Sequence, residues 1–524
     1  MSTTNIVIMI AIGVYLVMMV VIGAVFSKKN KNTDDFYLGG RKLGPIVTAM
    51  SAEASDMSSW LLMGLPAVAL MTGIPEAFWT ALGLAIGTYL NWLFVAKRLR
   101  VYTQKVDAVT LPDFFSKRFG DDKHIITFIA AVFIVIFFVP YTASGFAACG
   151  KLFSSLFNVS YEYAMIVSAI VIVVYCTLGG FLAASTTDFI QSIIMTIALL
   201  VVLGVGEAVT NGFGNVFSNV KDMDGYLDVF KGFNVAKGEV GTYGALTVAS
   251  TMAWGLGYFG MPHILLRFMA IEDKKKLKLS RRIASIWVVI SMGIAVLIGI
   301  VGYSLMKAGI APAYADASAA ETIIVDVAKW IASHGYIPAF VGGVILAGIL
   351  ASTMSTADSQ LLAAASSVSQ NLVQETFGKK LSEKAGMWLA RICVIVISII
   401  AVFLALDPSS SVFRIVSFAW AGFGAVFGPL VLFGLFWKRT NKWGAIAGML
   451  TGGTSIFVWK FVVREACADT ILDIYELLPA FIIASIFIVV VSLITKAPDK
   501  KIGETFEAVK AECKADLKEE LTKA

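Results

Sequence analysis

The stretch Ser51-Ala-Glu-Ala-Ser-Asp-Met-Ser-Ser-Trp-Leu-Leu-Met-Gly64 lies inside an apolar segment, residues 43–71, that is long enough to cross a membrane. It contains two carboxylates, Glu53 and Asp56, and four serines. An ionised side chain at the centre of a bilayer costs at least about 2.5–3.5 kcal/mol, so such residues face a protein interior or a water-filled cavity and are candidates for function. From this stretch alone, the alternative is a helix end at the interface with both acids in water.

The composition is that of a membrane protein with many helical spans. Of the 524 residues, 58% are hydrophobic and only 15% are charged, whereas soluble domains have about 25% charged residues. Apolar stretches of about 20 residues recur along the chain, and each matches the roughly 30 Å hydrocarbon core of a bilayer. The strands of a membrane β-barrel would alternate polar and apolar residues instead. The predicted fold class is therefore an all-α polytopic membrane protein.

Several other classes of protein are disfavoured. The five cysteines form no Cys-x-x-Cys pair and the three histidines lie far apart, so neither a disulfide framework nor a transition-metal site is expected. The chain has no Gly-x-x-x-x-Gly-Lys-Ser/Thr motif, which argues against ATP as the energy source. The net charge of +6 comes from basic residues in short loops and does not indicate a nucleic-acid partner.

The apolar runs predict thirteen spans. The first has no basic residue before it and no cleavage motif after it, and it is too long for a signal-peptide core, so we interpret it as a retained span. The predicted spans are 6–26, 43–71, 76–96, 124–149, 161–179, 189–208, 241–269, 283–306, 335–357, 387–405, 411–436, 443–461 and 473–495.

The basic residues predict the orientation in the membrane. With these bounds, every second loop lies on the same side of the membrane, and the loops of one side together with the tail contain 31 of the 42 Lys and Arg residues. The positive-inside rule then places the N-terminus outside and the C-terminus in the cytoplasm, which requires an odd number of spans. The outer loop 211–239 allows a short helix. The charged tail from Lys500 is helix-prone, and we expect it in water or on the inner leaflet.

Three spans carry signs of a binding site. In the seventh span, three glycines and a proline fall within nine residues of Trp254-Gly-Leu-Gly-Tyr-Phe-Gly-Met-Pro262, which should interrupt the helix. It lies five spans after the Glu53 segment, the interval expected of an inverted repeat with paired broken helices. The ninth span carries Ser352-Thr-Met-Ser-Thr356. Hydroxyl and main-chain oxygens suit an alkali cation. The alternatives are glycines that serve helix packing alone and hydroxyls that bond back to their own helix.

These motifs resemble the sodium:solute symporter family, in particular its proline branch. The resemblance covers about residues 10–495. It rests on Ala54-Ser-Asp-Met-Ser-Ser-Trp-Leu-Leu-Met-Gly-Leu-Pro66, Tyr37-Leu-Gly-Gly-Arg41, Leu111-Pro-Asp-Phe-Phe115, Trp254-Gly-Leu-Gly-Tyr-Phe-Gly260, Met354-Ser-Thr356 and Ala419-Trp-Ala-Gly-Phe-Gly424.

The resemblance implies thirteen transmembrane helices with a five-plus-five inverted-repeat core of the leucine-transporter type. The resulting organisation has five parts: 1–42, the first span and a cytoplasmic loop; 43–240, the first repeat (spans 2–6) and an outer loop; 241–442, the second repeat (spans 7–11) and a cytoplasmic loop; 443–499, the last two spans; and 500–524, a cytoplasmic charged tail.

The resemblance also implies the site residues. The coupling ion, Na⁺, would be held by the main-chain oxygens of Ala54, Met57 and Ser352 and the hydroxyls of Ser355 and Thr356. Asp56 matches an acid needed for sodium coupling, and Asp188 matches an acid at the cytoplasmic mouth, near which some relatives bind a second sodium. The expected substrate pocket comprises Ser55, Asp56, Ser58, Trp60, Gly64, Tyr141, Trp254 and Tyr258. Glu53 departs from the family pattern: it could be neutral, tune ion choice or point into a cavity.

The expected function is sodium-coupled import of L-proline across the plasma membrane, without enzymatic activity and without an obligate protein partner. Aromatic faces can enclose the apolar ring of proline and attract its ammonium group, at about 0.5–2 kcal/mol per contact. One alternative is a sodium symporter for another small solute, such as pantothenate, a sugar or a sialic acid. The other is a membrane sensor with a transporter-like core.

Overall fold

The computed structural model describes residues 3–27, 33–468 and 470–523, most of which are helical. The basic residues at 28, 29 and 31, which entered the predicted orientation, lie outside the described residues. The helices in chain order are α1 (Thr3–Ser27), α2 (Thr33–Leu38), α3 (Pro45–Ser59), α4 (Leu65–Thr72), α5 (Ile74–Leu90), α6 (Ala96–Lys105), α7 (Leu111–Phe119), α8 (Ile125–Phe157), α9 (Tyr161–Gly179), α10 (Phe181–Val209), α11 (Phe213–Val220), α12 (Ala245–Met252), α13 (Pro262–Ala270), α14 (Leu277–Lys307), α15 (Ala317–Ala320), α16 (Ile323–Ala332), α17 (Tyr336–Ser366), α18 (Glu383–Leu404), α19 (Val412–Phe436), α20 (Lys442–Val458), α21 (Arg464–Ala466), α22 (Leu477–Ile494) and α23 (Lys500–Lys523).

The predicted multi-pass membrane architecture is confirmed. Within the described part of the chain, eleven helices are long and apolar enough to cross a membrane. The two other predicted spans, 161–179 and 241–269, coincide with α9 and with the interrupted pair α12–α13. Neither is among the eleven: α9 has 19 residues, of which Tyr161–Val174 form the apolar stretch within the described side chains, and the second unit is broken.

The helix that contains Glu53 and Asp56 lies at the centre of the bundle. The whole apolar window of Pro45–Thr72 is buried, and α3 packs against α10, α13, α14 and α17. The peripheral helices α1 and α18 instead expose large apolar side chains, such as Val17 and Phe403, as expected of helices that face lipid. The alternative of an interfacial helix end in water is therefore wrong.

The loop between α10 and α12 has more structure than the sequence predicted. It contains the expected short helix, α11, and also an antiparallel hairpin of β1 (Lys231–Asn234) and β2 (Glu239–Thr242), with Lys231 opposite Thr242. The Val235 amide donates to the Met71 carbonyl at 2.9 Å, which fixes the hairpin to the end of α4. The hairpin was not predicted, because four-residue strands give no usable periodicity.

The tail forms the expected helix, α23, but it packs on the protein rather than lying free in water. Its buried face contains Phe506 and Val509. On its charged side, Lys274 binds Glu512 at 2.6 Å and Asp516 at 2.9 Å. Lys105 and Lys438 add ion pairs to Glu512 and Glu507. The hydrogen bond from Lys274 lowers the pKa of Glu512, so this attachment is present at neutral pH and is lost as the pH falls through the lowered pKa.

Candidate functional site

The helix that begins at Pro45 is broken at Ser58. This residue has φ 48° and ψ −171°, a left-handed conformation that is uncommon outside glycine. The Trp60 amide donates to the Ser58 hydroxyl at 3.1 Å, and a π-helical turn, Trp60–Gly64, leads into α4. Such turns often occur at functional sites. The discontinuity predicted from the polar stretch is present, and it leaves main-chain oxygens of α3 outside the regular helical pattern.

Oxygen atoms of α3 and α17 meet beside this break. The Ser355 hydroxyl donates to the Ala54 carbonyl at 2.9 Å and is 3.2 Å from the Ser352 carbonyl. The Thr356 hydroxyl donates to the same Ser352 carbonyl at 3.1 Å. All four residues are buried. Four of the five oxygens expected to hold Na⁺ therefore form one cluster, and the fifth, the Met57 carbonyl, belongs to the same helix three residues after Ala54.

The chemistry of this cluster fits an alkali cation. It consists of carbonyl and hydroxyl oxygens, which suit hard cations, and it offers neither thiolate nor imidazole. Within the described residues, no group of three or more His, Cys, Asp or Glu side chains could hold a metal ion. The serine and threonine hydroxyls would have to release their present acceptors and turn their lone pairs toward the ion.

The ninth predicted span was placed too short. It was predicted over 335–357, whereas α17 continues to Ser366 and a further π-helical segment runs to Thr376. The run Ser352–Thr356 therefore lies within a continuous helix rather than near its end. The residues beyond Thr356 are mostly small and apolar (Ala357, Leu361–Ala365) and continue the helix where the span length alone predicted a stop.

The second predicted break is also present. Helix α12 ends at Met252, a 3-10 segment covers Ala253–Phe259, and Met261 is extended before Pro262 opens α13. Gly87 of α5 and Gly255 are packed so closely that a methyl group on Gly87 would collide with the Gly255 carbonyl oxygen. Glycines of the broken segment thus serve both the interruption of the helix and its close packing against α5. The alternative in which they serve packing alone is therefore wrong.

Aromatic rings form a layer between the two broken helices. The rings of Trp60 and Trp254 are 5.6 Å apart, and Phe413 packs 5.4 Å from Trp254. The Tyr258 hydroxyl donates to Asp56 Oδ2 at 2.5 Å, and the Tyr141 hydroxyl donates to the Asp56 carbonyl at 3.1 Å. The two breaks are therefore joined through the Asp56 side chain.

A small cavity lies within this layer. Its volume is about 10 Å³, which is no more than a single water requires. Its lining residues are Asp56, Met57, Trp60, Leu84, Tyr141, Trp254, Val416 and Trp420. Trp254 also lines a second cavity of about 640 Å³ on the side of the outer loop. A solute of the size of proline requires the aromatic side chains to separate, and Trp254 stands between the two spaces.

Other predicted pocket residues occupy different positions. The Ser55 hydroxyl donates to the Ala52 carbonyl of its own helix at 3.0 Å. Ser58 is the residue at which the helix is broken, and its hydroxyl accepts from the Trp60 amide. Gly64 packs against Phe413 and Trp60, which a side chain at this position would press on. Leu84, Val416 and Trp420 line the cavity but were missed. Of these, Trp420 stands in the quoted Ala419–Gly424 motif and donates from its indole to the Trp254 carbonyl at 2.7 Å.

Asp188 lies in a separate buried network. Arg267 forms an ion pair with Asp188 at 3.0 Å, and the Ser51 hydroxyl donates to the same carboxylate oxygen at 2.7 Å. Arg267 also contacts Ser359, next to the buried Asp358. The sequence reading missed Arg267, although an arginine inside an apolar span is itself a signal. Arg267 thus lies beside two buried acids, Asp188 and Asp358, and the second sodium expected near Asp188 stays a prediction.

Glu53 lies on α3, five residues before the break, and no described Lys, Arg or His forms an ion pair with it. Its Oε1 accepts hydrogen bonds from Thr88 at 3.1 Å and from the Trp92 indole at 3.0 Å. Its Oε2 has no hydrogen-bond partner, and the residue is only 1% exposed. Of the three roles left open by the sequence, the one in which Glu53 faces an open cavity does not fit this burial.

Known proteins resemble this chain over most of its length. The profile of the sodium:solute symporter family matches residues 36–452. The osmoregulated proline transporter OpuE of Bacillus subtilis is 42% identical over 496 residues, which cover 94% of this chain and 96% of that protein. The sodium/proline symporter of Escherichia coli is 40% identical over 495 residues, 94% of each chain.

A solved structure shares the fold. A Na⁺-coupled sialic acid symporter in a substrate-bound, outward-open state superposes with a TM-score of 0.76 over 94% of this chain and 99% of its own, at 17% identity. The complex of MhsT with L-phenylalanine superposes with a TM-score of 0.52 over 86% of this chain, at 11% identity. At such identities these likenesses concern the helical arrangement alone.

Proposed function

This chain belongs to the sodium:solute symporter family, and from that premise we propose that it couples the inward movement of Na⁺ to the uptake of L-proline. It is a membrane transporter and not an enzyme. The observation that carries the proposal is the oxygen cluster of α3 and α17, which adjoins an aromatic pocket on the same broken helix. Relatives that are named as proline transporters and are about 40% identical over almost the whole chain support proline as the solute.

We assign thirteen crossings to the chain: the eleven long helices, α9 and the unit α12–α13. In this assignment, α3–α4 opens a first repeat of five crossings that ends with α10, and α12–α13 opens an inverted second repeat that ends with α19. The two broken helices at equivalent positions support it, because transporters with inverted repeats bind their cargo between such helices. The N-terminus lies outside, and α23 lies in the cytoplasm.

In the proposed site, Na⁺ is held by the carbonyls of Ala54, Met57 and Ser352 and the hydroxyls of Ser355 and Thr356. The ion joins α3 to α17. Because Asp56 follows Ser55 and precedes Met57 at the break, an ion that orders this segment also orders the carboxylate that Tyr258 binds. Sodium and proline then stabilise each other's bound state by the same coupling free energy.

Proline occupies the space between Trp60, Tyr141 and Trp254 once these side chains have separated. The rings enclose its apolar face and attract the ammonium group, Asp56 contributes negative charge, and amides freed at the break hold the carboxylate. The loaded protein then opens to the cytoplasm, where low sodium favours release. Each Na⁺ that moves inward across 100 mV and down a tenfold gradient supplies about 3.7 kcal/mol, which sustains roughly a 500-fold gradient of proline.

The test is equilibrium binding of labelled proline to the purified full-length protein in NaCl or in choline chloride. We expect tight binding in sodium and a loss of at least tenfold in affinity in choline. Equal affinity in the two salts would refute the coupling. In proteoliposomes, excess unlabelled proline should abolish labelled uptake; pantothenate, glucose and sialic acid should leave it unchanged. If one of these competed and proline did not, the substrate assignment would be wrong.

A further inference from the structure

Two buried carboxylates close to the proposed sodium site, Glu53 and Asp56, have no positive partner among the described residues. Glu53 is 1% exposed and Asp56 is 5% exposed, and within the described residues no Lys, Arg or His nitrogen lies within 4.0 Å of either carboxylate. Their only side-chain donors are neutral: Thr88 and Trp92 for Glu53, and Tyr258 for Asp56. The contrast with Asp188, which has Arg267 beside it, shows that this chain does pair a buried acid elsewhere.

Each of the two acids has one unused carboxylate oxygen. Glu53 and Asp56 are three residues apart on a helix, so their side chains are neighbours. Glu53 Oε2 and Asp56 Oδ1 are both buried without a hydrogen-bond partner. Unpaired charge at such a depth is costly unless a cation or a proton compensates it.

A third unused oxygen belongs to Asn91, which is fully buried. Asn91 follows Thr88, one of the two residues that bind Glu53, by three positions, a spacing that makes side chains neighbours on a helix. Its amide nitrogen donates to the Tyr258 carbonyl at 2.9 Å, and this bond fixes the orientation of the amide. Its Oδ1 has no partner. Asn91 is thus connected to both acids. Thr88, on the preceding turn, donates to Glu53, and Tyr258, whose carbonyl Asn91 binds, donates to Asp56.

We propose that Glu53 Oε2, Asp56 Oδ1 and Asn91 Oδ1 form a second Na⁺ site, between α3 and the end of α5. Carboxylate and amide oxygens suit a hard cation. The site rests on the proposed function only for the identity of its ion. The first site has no carboxylate among its five ligands, so one Na⁺ in each site would carry a total charge equal and opposite to that of Glu53 and Asp56 together. The alternation along α3 fits this pairing: Glu53 and Asp56 offer side chains to one ion, and the next residues, Ala54 and Met57, offer carbonyls to the other.

The test counts Na⁺ bound to the purified full-length protein in lipid nanodiscs, with saturating proline and choline as the replacement cation. We expect two equivalents of ²²Na⁺ for the unmodified protein and one for Glu53→Gln, whose amide oxygen still accepts from Thr88 and Trp92. Asn91→Ala, a second variant that leaves both acids in place, should weaken one of the two equivalents at least tenfold. Glu162→Gln changes an exposed acid at the start of α9 and should retain two.

Thr356→Ala separates this proposal from the function proposed above. We expect it to retain one equivalent, and its combination with Glu53→Gln should retain none. If Thr356→Ala keeps two equivalents while Glu53→Gln keeps one, the first site is misassigned and the second stands. One equivalent in the unmodified protein, as expected if Glu53 carries a proton instead, overturns the second site, and so do two equivalents in Glu53→Gln.

Discussion

At the residue scale, single side chains connect the ion cluster to the pocket. The Ala54 carbonyl touches Ser355 of α17, and two residues later the Asp56 side chain touches Tyr258 of the other broken helix. The two contacts lie within one turn of α3 but involve different residues. Substitutions at the ion contact and substitutions at the solute contact should therefore have distinguishable effects in transport assays.

Thr356→Ala removes one hydroxyl ligand and leaves the helix intact, since alanine favours helix formation. We expect the sodium concentration for half-maximal proline uptake to rise at least tenfold, because a lost ligand weakens the ion and only indirectly the solute. Sodium titration of uptake in proteoliposomes measures this. Thr451→Ala, in α20, is the matched control, since its hydroxyl bonds only to its own helix. An unchanged sodium titration in Thr356→Ala would remove this residue from the ion site.

Trp254→Ala removes the ring between the small cavity and the outer cavity. We expect the KM for proline to rise at least tenfold with a smaller change in sodium dependence, because the ring encloses the solute and does not contact the oxygen cluster. Trp388→Ala is the control, since Trp388 is 63% exposed on α18. Equal effects of the two substitutions on KM would show that Trp254 has no specific role in the pocket.

Much of the candidate site could be predicted at this scale, and the omissions have a physical cause. Ser355 and Thr356 were assigned through the family resemblance, because hydroxyl groups in a membrane helix often bond back to their own helix and are weak evidence alone. Leu84 and Val416 line the cavity but look like any other apolar residue of a span, and only the packing of α5 and α19 brings them there. Arg267 gave a signal in the sequence, but its partner Asp188 is 79 residues away in the chain.

At the scale of elements, α5 lies backbone to backbone against the broken segment. Gly83 and Gly87 face Met252 and Gly255 so closely that no side chain fits between them. Contacts of this kind join helices through van der Waals packing of small residues. The second half of the site is consequently held by α5, which also carries Thr88, one of the two hydrogen-bond donors to Glu53.

Gly87→Ala should destabilise the protein, because the added methyl collides with the Gly255 carbonyl, and overpacking typically costs about 1–3 kcal/mol. We expect a lower Tm for the purified protein. Gly293→Ala, in α14, is the control: nothing lies within 4 Å of the added methyl, and alanine favours the helix more than glycine does. A Tm of Gly87→Ala at or above that of Gly293→Ala would contradict the close contact.

The tail helix α23 should detach when its acidic residues are removed. Glu512→Ala eliminates the ion pairs to Lys274 and Lys105, and we expect trypsin to cleave the tail several times faster in the purified protein. Glu504→Ala is the control, since Glu504 is mostly exposed and pairs only with Lys500 of the same helix at 3.9 Å. Equal cleavage rates in the two variants would show that these ion pairs do not hold the tail.

The elements themselves were largely predictable, since long apolar runs leave few choices in a membrane. The ends of the elements were not predictable. Helix α17 is longer than its predicted span, because a helix that is surrounded by other helices can continue beyond the length that crosses the bilayer. The docking of α23 was missed because its composition suits water as well as a charged surface. The helix packs on the protein because Lys105, Lys274 and Lys438, which are far apart in the chain, form ion pairs with it.

At the scale of the whole molecule, thirteen crossings require the two termini on opposite sides of the membrane. In a variant without the five native cysteines, we expect a membrane-impermeant thiol reagent to label Thr4→Cys in intact cells. It should label Lys514→Cys only after permeabilisation. Labelling of both positions in intact cells, or of neither, would show an even number of crossings and refute the proposed topology.

The attachment of α23 has a further consequence for the molecule. Ion pairs with partly exposed partners weaken as dissolved salt screens them, with a Debye length of about 8 Å at physiological ionic strength. The buried pair of Arg267 and Asp188 is shielded from such screening. In the proposed orientation, a rise in cytosolic ionic strength therefore loosens the attachment of α23 first, while the buried pair of Arg267 and Asp188 stays formed.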